Sequence, residues 1–344
     1  MKSLSELKRI SYFFVYAIAF YSCKEDIPPN SSIISQIIAD HTIVDRYDDI
    51  PQYYIDKVKE MWLVCAGESH SGAIRDGMPL LEAINSKYMS SPMYSGTPEP
   101  YTNIHLRVSK ATWGDYDNSS GWIYGYGEED WFTNSTGISR TKAGISYCHA
   151  NSLTVSAIGF GWCADMRTGS TKSSVVDPVY GCYWYGVSVN GPNGNRCWGL
   201  DNEDNAITGN TVNMDTYLSV TQGYIDYCTA NNIPTKVFFT TGPVDNTIGD
   251  YTDERGYQAY LKHEYIRNYV KADPARILFD YADILCYDDD GSLTTSTWNG
   301  HEFPLITTLN LIPEEIGHIS NAGGIRLAKA MWWMLARIAG WDGN

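Results

Sequence analysis

A serine follows an apolar segment at a point where the residue pattern changes from strand to helix. The apolar residues 61–66 end at Gly67, and Ser69 lies two positions later, before a segment of helical spacing. A turn of this kind lifts a hydroxyl clear of a sheet, and the first turn of the next helix offers free backbone N–H groups to an anion. Ser69 is therefore predicted to be a nucleophile, with Ser71 as the second choice.

An acid and a base lie close together near the other end of the chain. Glu315 and His318 are three residues apart, just before a segment of helical spacing. A serine nucleophile needs a base within hydrogen-bonding reach, and that base needs a group that holds its tautomer. We therefore predict that His318 is the base and that Glu315 orients it. His70 is a rival base, but a substrate contact or a structural role is favoured for it, because adjacent residues rarely direct their side chains at one another.

Apolar runs alternate with segments of helical spacing along most of the chain. The predicted strands are residues 61–66, 104–108, 153–160, 237–241 and 277–280. The predicted helices are residues 53–59, 73–86, 137–150, 213–230, 253–271 and 322–339, and Gly77 and Pro79 move the expected regular part of the second one to residue 79 onward. This alternation predicts one domain with a parallel α/β sheet. The loops after the strands of such a sheet gather at one edge, so residues 69 and 318 can meet there.

The two reactive segments resemble sequence blocks of a known family. Gly67-Glu68-Ser69-His70-Ser71 is similar to the Gly-Asp-Ser block of the SGNH (GDSL-like) hydrolase superfamily, with Glu in place of Asp. Glu315-x-x-His318 resembles the last block of that family, Asp-x-x-His, again with Glu for Asp. The resemblance implies a three-layer α/β/α sandwich with a central parallel sheet of the flavodoxin-like type. It also implies a Ser-His-acid esterase that needs no cofactor and acts on acyl esters of carbohydrates or lipids.

The resemblance leaves the oxyanion site incomplete. In the family, this site uses the N–H of the serine, a glycine from a second block and an asparagine from a Gly-x-Asn-Asp block. The segment 161–165, which follows the strand 153–160, contains no asparagine. The loss of one such donor lowers a rate by about two to three orders of magnitude. The candidate oxyanion or substrate contacts are Gly114 (with Gly121 as its alternative), Gly161, Trp162, Asp165 and His70, and the candidate replacements for the asparagine are Asn202, Asn205 and Asn246.

The composition argues against nucleic acid and favours a ligand with flat faces. The 344 residues carry a net charge of −15, and no basic cluster is present. The 26 Tyr and 11 Trp supply rings that stack on sugars. The aromatic-rich loop insertions 88–135 and 176–200 are expected to form the substrate face. The predicted function is hydrolysis of acyl, above all acetyl, esters on a carbohydrate, and the alternative is a glycan-binding surface lipoprotein with weak or lost catalysis.

The N-terminus has the pattern of an export signal. Three basic residues precede the apolar segment 10–20, and Ser22-Cys23 resembles the processing site of a bacterial lipoprotein. We therefore predict a signal peptide over residues 1–23, a polar tether over 24–40 and a single hydrolase domain over 41–344. A lipid on Cys23 would be the sole membrane attachment and would place the protein at the outer membrane or cell surface, and without it the protein is expected in the periplasm.

The eight cysteines and the acidic loops give no metal site. No pair of cysteines has zinc spacing, Cys182 and Cys197 are the first choice for a disulfide, and Cys65 is expected to be a core thiol. The acidic runs 201–205 and 288–291 offer oxygen atoms that Ca²⁺ could bind, but a solvated loop and a turn are the favoured interpretations. No metal ion or other cofactor is expected.

Overall fold

The apolar runs of the sequence form one parallel sheet in the computed structural model. Its seven strands are β1 (Ile38–Ala39), β2 (Trp62–Gly67), β3 (Ser90–Met93), β4 (Leu106–Ser109), β5 (Ala157–Gly161), β6 (Lys236–Thr240) and β7 (Leu278–Phe279). Every neighbouring pair is parallel. Strands β4 and β5 are buried at every residue, and this burial explains the continuous apolar character of β5.

The structure describes most of the chain after residue 34. The described residues are 35–67, 69–93, 100–113, 122–123, 130–163, 171–186, 197–244 and 252–344. Some sequence-based predictions concern residues outside these ranges. They are the signal peptide with Cys23, Gly114, Gly121, Asp165, Asn246 and parts of both aromatic stretches.

The strand order is that of a flavodoxin-like sheet. Across the sheet it runs β1-β7-β6-β5-β2-β4-β3. Without the edge strands β1 and β3, the remaining five stand in the order 2-1-3-4-5 when they are counted along the chain, which is the flavodoxin-like order. This confirms the predicted fold. The chain direction across the sheet reverses between β2 and β5, and ligands of such folds bind outside the carboxyl ends of the strands at that switch point.

Helices cover both faces of the sheet and complete three layers. The long helices are α1 (Gln52–Lys59), α2 (Ser69–Ile84), α3 (Ser135–Ala150), α4 (Met214–Ala230), α5 (Asp253–Lys271) and α6 (Asn321–Ile338). Helices α1, α2 and α6 share one core with Leu63 and Cys65 of β2. Helices α3, α4 and α5 share the other core with Trp62 and Val64. The alternation along β2 follows from the two-residue period of a strand.

Shorter elements connect these layers. Short α-helices lie at Asp130–Thr133, Asn205–Thr208, Tyr281–Cys286 and Thr308–Leu311, and 3-10 turns lie at His41–Ile43, Asp45–Asp49 and Ser86–Tyr88. Three antiparallel ladders pair Thr112–Trp113 with Trp122–Ile123, Thr171–Lys172 with Tyr185–Gly186, and Thr294–Trp298 with His301–Leu305. In the described part of the chain, none of the helices combines the length and apolar character needed to cross a bilayer.

Helix α2 is longer than its sequence suggests. It is continuous from Ser69 and contains Pro79, so the expected start of its regular part at residue 79 is wrong. Gly77 does not break the helix but allows it to touch α6, since a Cβ there would lie 2.2 Å from the carbonyl oxygen of Gly324. Burial of Ile74 and Met78 in the core compensates for the hydrogen bond that proline cannot donate.

The domain begins before the boundary predicted at residue 41. Ile38–Ala39 form the edge strand β1, which pairs with β7. The side chain of Gln36 also donates hydrogen bonds to the carbonyl oxygens of Val270 and Asp273. Residues 35–40 therefore belong to the fold and not to a tether. The sequence conceals this, because a two-residue edge strand leaves almost no periodic signal.

The predicted disulfide between Cys182 and Cys197 is wrong, since each of these two residues is a buried thiol that is not bonded to the other. Cys182 packs in an apolar cluster with Tyr257, whereas the thiol of Cys197 donates to the carbonyl oxygen of Thr208. Cys65 is a core thiol as predicted, and burial raises its pKa to about 12. The sequence spacing that suggested the disulfide says nothing about these separate surroundings.

Candidate active site

Close glycine contacts place Ser69 at the switch point of the sheet. Gly67 has φ +102°, and a Cβ there would lie 2.0 Å from the carbonyl oxygen of Gly161. A Cβ on Gly161 would in turn lie 2.3 Å from Cβ of Ser71. The ends of β2 and β5 and the first turn of α2 are therefore in direct contact. Ser69 begins α2 and stands outside the carboxyl end of β2, as the sequence predicted.

The hydroxyl of Ser69 has an imidazole and a thiol as neighbours. Its Oγ lies 3.4 Å from Nδ1 of His70 and 3.9 Å from Sγ of Cys163. Both neighbours are buried, with exposed fractions of 6% and 9%. A serine–base distance at the long end of hydrogen bonding is common in a site without substrate. The side chain of His70 therefore does approach that of Ser69, contrary to the expectation for adjacent residues, because the turn into α2 rotates the two toward each other.

His318 lines the same cleft as Ser69 and approaches the ring of His70. The centroid of its ring is 5.3 Å from that of His70, at an interplanar angle of 35°. Ser69 and His318 line one open cleft with a volume of about 490 Å³. Its other lining residues are Gly72, Arg75, Asp76, Lys110, Glu314, Glu315 and Gly317. The structure therefore brings together the three residues that were predicted as a triad, across nearly the whole length of the domain.

A left-handed turn carries His318 to this position. Gly317 has φ +49° and His318 has φ +65°. A Cβ on Gly317 would lie 2.5 Å from the backbone nitrogen of Ala73 and 2.7 Å from the carbonyl oxygen of Ser69. The turn thus packs against the first turn of α2 through a glycine. His318 adopts a backbone conformation that costs a non-glycine residue about 1–2 kcal/mol, and such local strain is concentrated at functional sites.

The acidic neighbour of His318 is Glu314 and not Glu315. Oε2 of Glu314 lies 3.8 Å from Nδ1 of His318, and both side chains are exposed, at 61% and 59%. Oε2 of Glu315 instead accepts a hydrogen bond of 3.0 Å from the backbone N–H of Asn321 at the start of α6. The i,i+3 approach expected for Glu315 requires a helical backbone, and the left-handed turn at residues 317–318 removes it.

Arg75 lies on the floor of the cleft and was missed from the sequence. It is 6% exposed, and its Nη1 donates to Oγ of Ser71 at 2.6 Å and to the carbonyl oxygen of Cys65 at 2.8 Å. Its Nε is buried and has no hydrogen-bond partner. The sequence signal that could have identified Arg75 is a basic residue beside the apolar, core-facing positions of α2, one helical turn after Ser71. Cys163 was also missed, although it comes directly after β5, the neighbour of β2.

The other predicted contacts have structural roles or lie elsewhere. Gly161 serves the close packing of β2, β5 and α2. Trp162 is 3% exposed, donates to the carbonyl oxygen of Thr240 and stacks on Trp198, so it belongs to the core. A direct contact of Trp162 with substrate is therefore not supported by its position, because the buried indole has no open face toward the cleft.

The amide candidates Asn202 and Asn205 are placed away from Ser69, and so is the histidine His301. The side chains of Asn202 and Asn205 both accept hydrogen bonds from Asn213, the residue that caps α4. His301 stacks on Tyr257 at a centroid distance of 4.9 Å. None of these side chains lines the cleft. They cannot stand in for the missing oxyanion asparagine in this conformation.

One group of described side chains has the proximity of metal ligands. Atoms of Asp40, His41 and Asp283 lie within 4.8 Å of one another. Their contacts are explained without an ion: Nδ1 of His41 hydrogen-bonds to Asp283 at 2.5 Å, and Asp40 caps the turn that follows it. In the two acidic runs, Asp204 accepts from the backbone of Leu200, and Asp289 pairs with Arg326. These residues are therefore engaged in protein contacts.

Comparison with known proteins finds similarity among solved structures but not among family models or curated sequences. No family model matches the chain, and no curated protein matches it. Among solved structures, the chain is similar to a "putative lipolytic protein of G-D-S-L family" from Desulfitobacterium hafniense DCB-2, with 10% identity, a TM-score of 0.36, and coverage of 81% of this chain and 99% of that one. The fold follows from the strand order itself. The chain is a three-layer α/β/α protein of flavodoxin-like order, with its candidate active site at the switch point of the sheet.

Proposed function

We propose that this protein is a serine hydrolase that cleaves ester bonds with Ser69 as the nucleophile. The observation that carries the proposal is the position of Ser69 at the first turn of α2, outside the switch point of the sheet. There its Oγ has an imidazole nitrogen at 3.4 Å and opens into a cleft that His318 also lines. A serine hydroxyl needs a base to become a nucleophile at neutral pH, and the cleft brings the imidazoles of both His70 and His318 to this end of the sheet. The resemblance of both reactive segments to the SGNH blocks supports the same chemistry.

His318 is the proposed base. Its ring is exposed in the cleft, whereas His70 is buried and is better placed to hold the serine hydroxyl. Oγ of Ser69 attacks the ester carbonyl while its proton passes to the imidazole, and that proton then leaves with the alcohol. Water removes the acyl group from Ser69 by the same route in reverse. Glu314 is the carboxylate proposed to stabilise the imidazolium, in place of the expected Glu315.

The oxyanion is proposed to lie between the start of α2 and the residues that follow β5. The first N–H groups of a helix have no intrahelical partner and favour negative charge. The side chain nearest to Oγ of Ser69 on the β5 side is Cys163, whose S–H is a weak donor. A weak donor in place of an amide predicts a slower enzyme than one with an asparagine.

The proposed substrate is an acyl ester, above all an acetyl ester, on a carbohydrate. The many Tyr and Trp residues and the open, polar cleft support a sugar-bearing substrate. The second candidate is a glycan-binding protein with weak or lost catalysis. The engagement of Glu315 with α6, away from His318, favours that candidate.

Covalent labelling of Ser69 tests the proposal. A fluorophosphonate should label the folded wild type and a Ser219→Ala control, which alters an exposed serine of α4, but not Ser69→Ala. The variants that are labelled should also release acetate from an acetylated oligosaccharide, and Ser69→Ala should not. If Ser69 stays unlabelled and acetate release is the same in Ser69→Ala, the esterase proposal is wrong. Glycan binding without acetate release would then support the second candidate.

The export prediction remains a proposal about residues 1–23. We expect the mature protein to begin at a lipidated Cys23 and to be attached to the outer membrane or the cell surface. Mass spectrometry of the N-terminal peptide from the membrane fraction decides this. Recovery of an unmodified N-terminus in the periplasmic fraction would show an ordinary secretory signal instead.

A further inference from the structure

Arg75 is a buried cation for which the described residues provide no acidic partner. Its guanidinium bonds to a hydroxyl and a carbonyl, both through Nη1. Nε has no acceptor, and no carboxylate of the described chain pairs with the group. Arginine stays charged in proteins, and burial of a charge is unfavourable unless an opposite charge or enough acceptors compensate for it. The position of Arg75 is therefore unexplained by the fold alone.

The buried pair formed by Arg267 and Asp280 shows what Arg75 lacks. There, Nε and Nη2 donate side by side to the two carboxylate oxygens, at 2.7 Å and 2.8 Å. The same Nε–Nη2 edge of Arg75 has no acceptor among the described residues. This edge matches the spacing of a planar carboxylate. Arg75 therefore presents a donor pair for which the described part of the chain supplies no carboxylate.

Gly72 leaves the Nη2 end of this edge open toward the cleft, whereas Nε lies beneath the surface. Arg75 and Gly72 both line the cleft, and a Cβ on Gly72 would lie 3.7 Å from Nη2 of Arg75. Any larger side chain at residue 72 would stand over the guanidinium. Since Nη1 of Arg75 reaches Ser71, the guanidinium is within about one helical turn of Ser69. A group bound here would be only a few atoms from the reacting carbonyl.

The other charges of the cleft do not neutralise Arg75. Glu314 is 61% exposed, and Glu315 accepts from the start of α6. Asp76 and Lys110 make interactions of their own, and Oδ2 of Asp76 lies 3.7 Å from the Cβ position of Gly72, the same distance as Nη2 of Arg75, without a hydrogen bond between the two. Exposed charges at the mouth are screened by salt, whereas a buried charge is screened much less. An anion in the cleft is therefore attracted most strongly by Arg75.

We propose that the cleft binds a carboxylate of the substrate and that Arg75 is the residue that recognises it. The proposal rests on the esterase function for the presence of an ester, and it narrows the substrate to acidic esters. The carboxylate belongs either to the acyl part, as in the half-ester of a short dicarboxylic acid, or to the alcohol part, as in an acylated uronic acid. Both present the same planar anion at a short distance from the ester.

Two pairs of matched esters test the proposal and separate its sources. Monoethyl succinate is compared with ethyl butyrate for the acyl part, and acetylated glucuronate with acetylated glucose for the alcohol part. The wild type should prefer the charged member of one pair in kcat/KM by about ten- to hundredfold, as for one charge-assisted fork. This preference should fall with added NaCl. The ester pair that shows this preference identifies whether the carboxylate belongs to the acyl part or to the alcohol part.

Substitutions then assign the preference to Arg75. Arg75→Gln should abolish it and leave turnover of the neutral ester higher than that of the charged one, and Arg75→Lys should retain part of it. Arg276→Gln is the control, since Arg276 precedes β7 at the amino ends of the strands and does not line the cleft. Equal loss of charged and neutral turnover in Arg75→Gln would show that Arg75 only holds Ser71 and β2, and would overturn the proposal.

Gly72→Ala tests the same point without removing any hydrogen bond of Arg75. All contacts of the added methyl are at 3.7 Å or more, and alanine favours a helix, so the unfolding temperature should stay equal or rise. The methyl covers the Nη2 side, so the charged-over-neutral preference should drop about tenfold. An unchanged preference in Gly72→Ala would overturn the proposal even if Arg75→Gln fails to fold.

A binding experiment separates this inference from the esterase function. Ser69→Ala, with and without Arg75→Gln, is titrated with succinate and with glucuronate in a calorimeter at low salt. Binding that Arg75→Gln weakens at least tenfold supports the carboxylate site even if no ester is hydrolysed and Ser69 is not labelled. Equal affinities of the two variants, or no binding at millimolar concentration, would overturn it whatever the outcome of the labelling.

Discussion

Substitution of the two neighbouring glutamates should separate catalysis from stability. Glu314 lies 3.8 Å from Nδ1 of His318, whereas Glu315 accepts from the backbone of Asn321 at the start of α6. Glu314→Ala should therefore lower kcat and leave the free energy of unfolding almost unchanged. Glu315→Ala should lower the free energy of unfolding and change kcat little. The two variants differ by one position and remove the same side chain, so each is the control for the other.

The structure sets the size of both effects. An exposed ion pair at this distance is worth about 0.2–1 kcal/mol, so Glu314→Ala should lower kcat about two- to fivefold. Loss of an acceptor and of a negative charge at a helix N-terminus costs about 0.5–2 kcal/mol, so Glu315→Ala should lower the free energy of unfolding by that amount. A buried orienting acid of a Ser-His-Asp triad is worth about four orders of magnitude in kcat.

Ester turnover and urea unfolding of both variants test this division. Kinetics with a neutral acetyl ester give kcat and KM, and urea titrations give the free energy of unfolding. A loss of about a thousandfold or more in kcat for Glu315→Ala, with stability unchanged, would refute the reasoning. That result would mean that Glu315 leaves α6 and turns to His318 when substrate is bound, as the sequence pattern implied.

Three further predictions concern the turn, the thiol and a buried acid. Gly317→Ala should lower the free energy of unfolding by about 2–4 kcal/mol and abolish fluorophosphonate labelling, because its methyl would overlap the first turn of α2 at 2.5 Å. Urea titration and labelling check this, and an active, fully stable variant would contradict it. Cys163→Ala should lower kcat by about tenfold with KM little changed, while Cys163→Asn should match or exceed the wild type. Steady-state kinetics test this prediction, with Cys228→Ala as the control for the loss of a buried thiol. An unaltered kcat in Cys163→Ala would show that the thiol does not stabilise the oxyanion. Burial and the neighbouring carboxyl of Asp177 raise the pKa of Asp204 to about 6 from its ordinary value of 3.8, so the protonated form is favoured in the folded state. The stability from this group is complete below about pH 4 and is lost as the pH rises through 6, and Asp204→Asn should flatten that decline in thermal unfolding between pH 4 and 7.

The layered fold was predictable because its signals are local. A strand that is buried on both faces leaves a continuous apolar run, and α4, α5 and α6 begin and end within one or two residues of the predicted bounds. The signals failed where a contact in the folded chain overrode them. Gly77 reads as a helix breaker, yet in the structure it is the point where α2 touches α6. The strand β1 was missed because two residues carry too little pattern.

The candidate site was predictable only at its reactive ends. Ser69 follows from a strand–turn–helix pattern, and His318 follows from its place before the last helix. The choice between Glu314 and Glu315 depends on the left-handed turn at residues 317–318, which only the packing of Gly317 against α2 reveals. The spacing of three or four residues to His318 does not show which of the two glutamates is its partner, because the backbone between acid and base is not helical.

The sequence by itself determined the order of strands and helices and the identity of the two residues most able to do chemistry, because apolar periodicity and turn residues act over short stretches of chain. Only the tertiary structure decided what surrounds them. Cys163 reaches Ser69 because β5 is the neighbour of β2, and Arg75 becomes a buried charge because α2 packs on the sheet. Burial and contacts between distant segments set the charge and the donors of the cleft, and no local pattern encodes them.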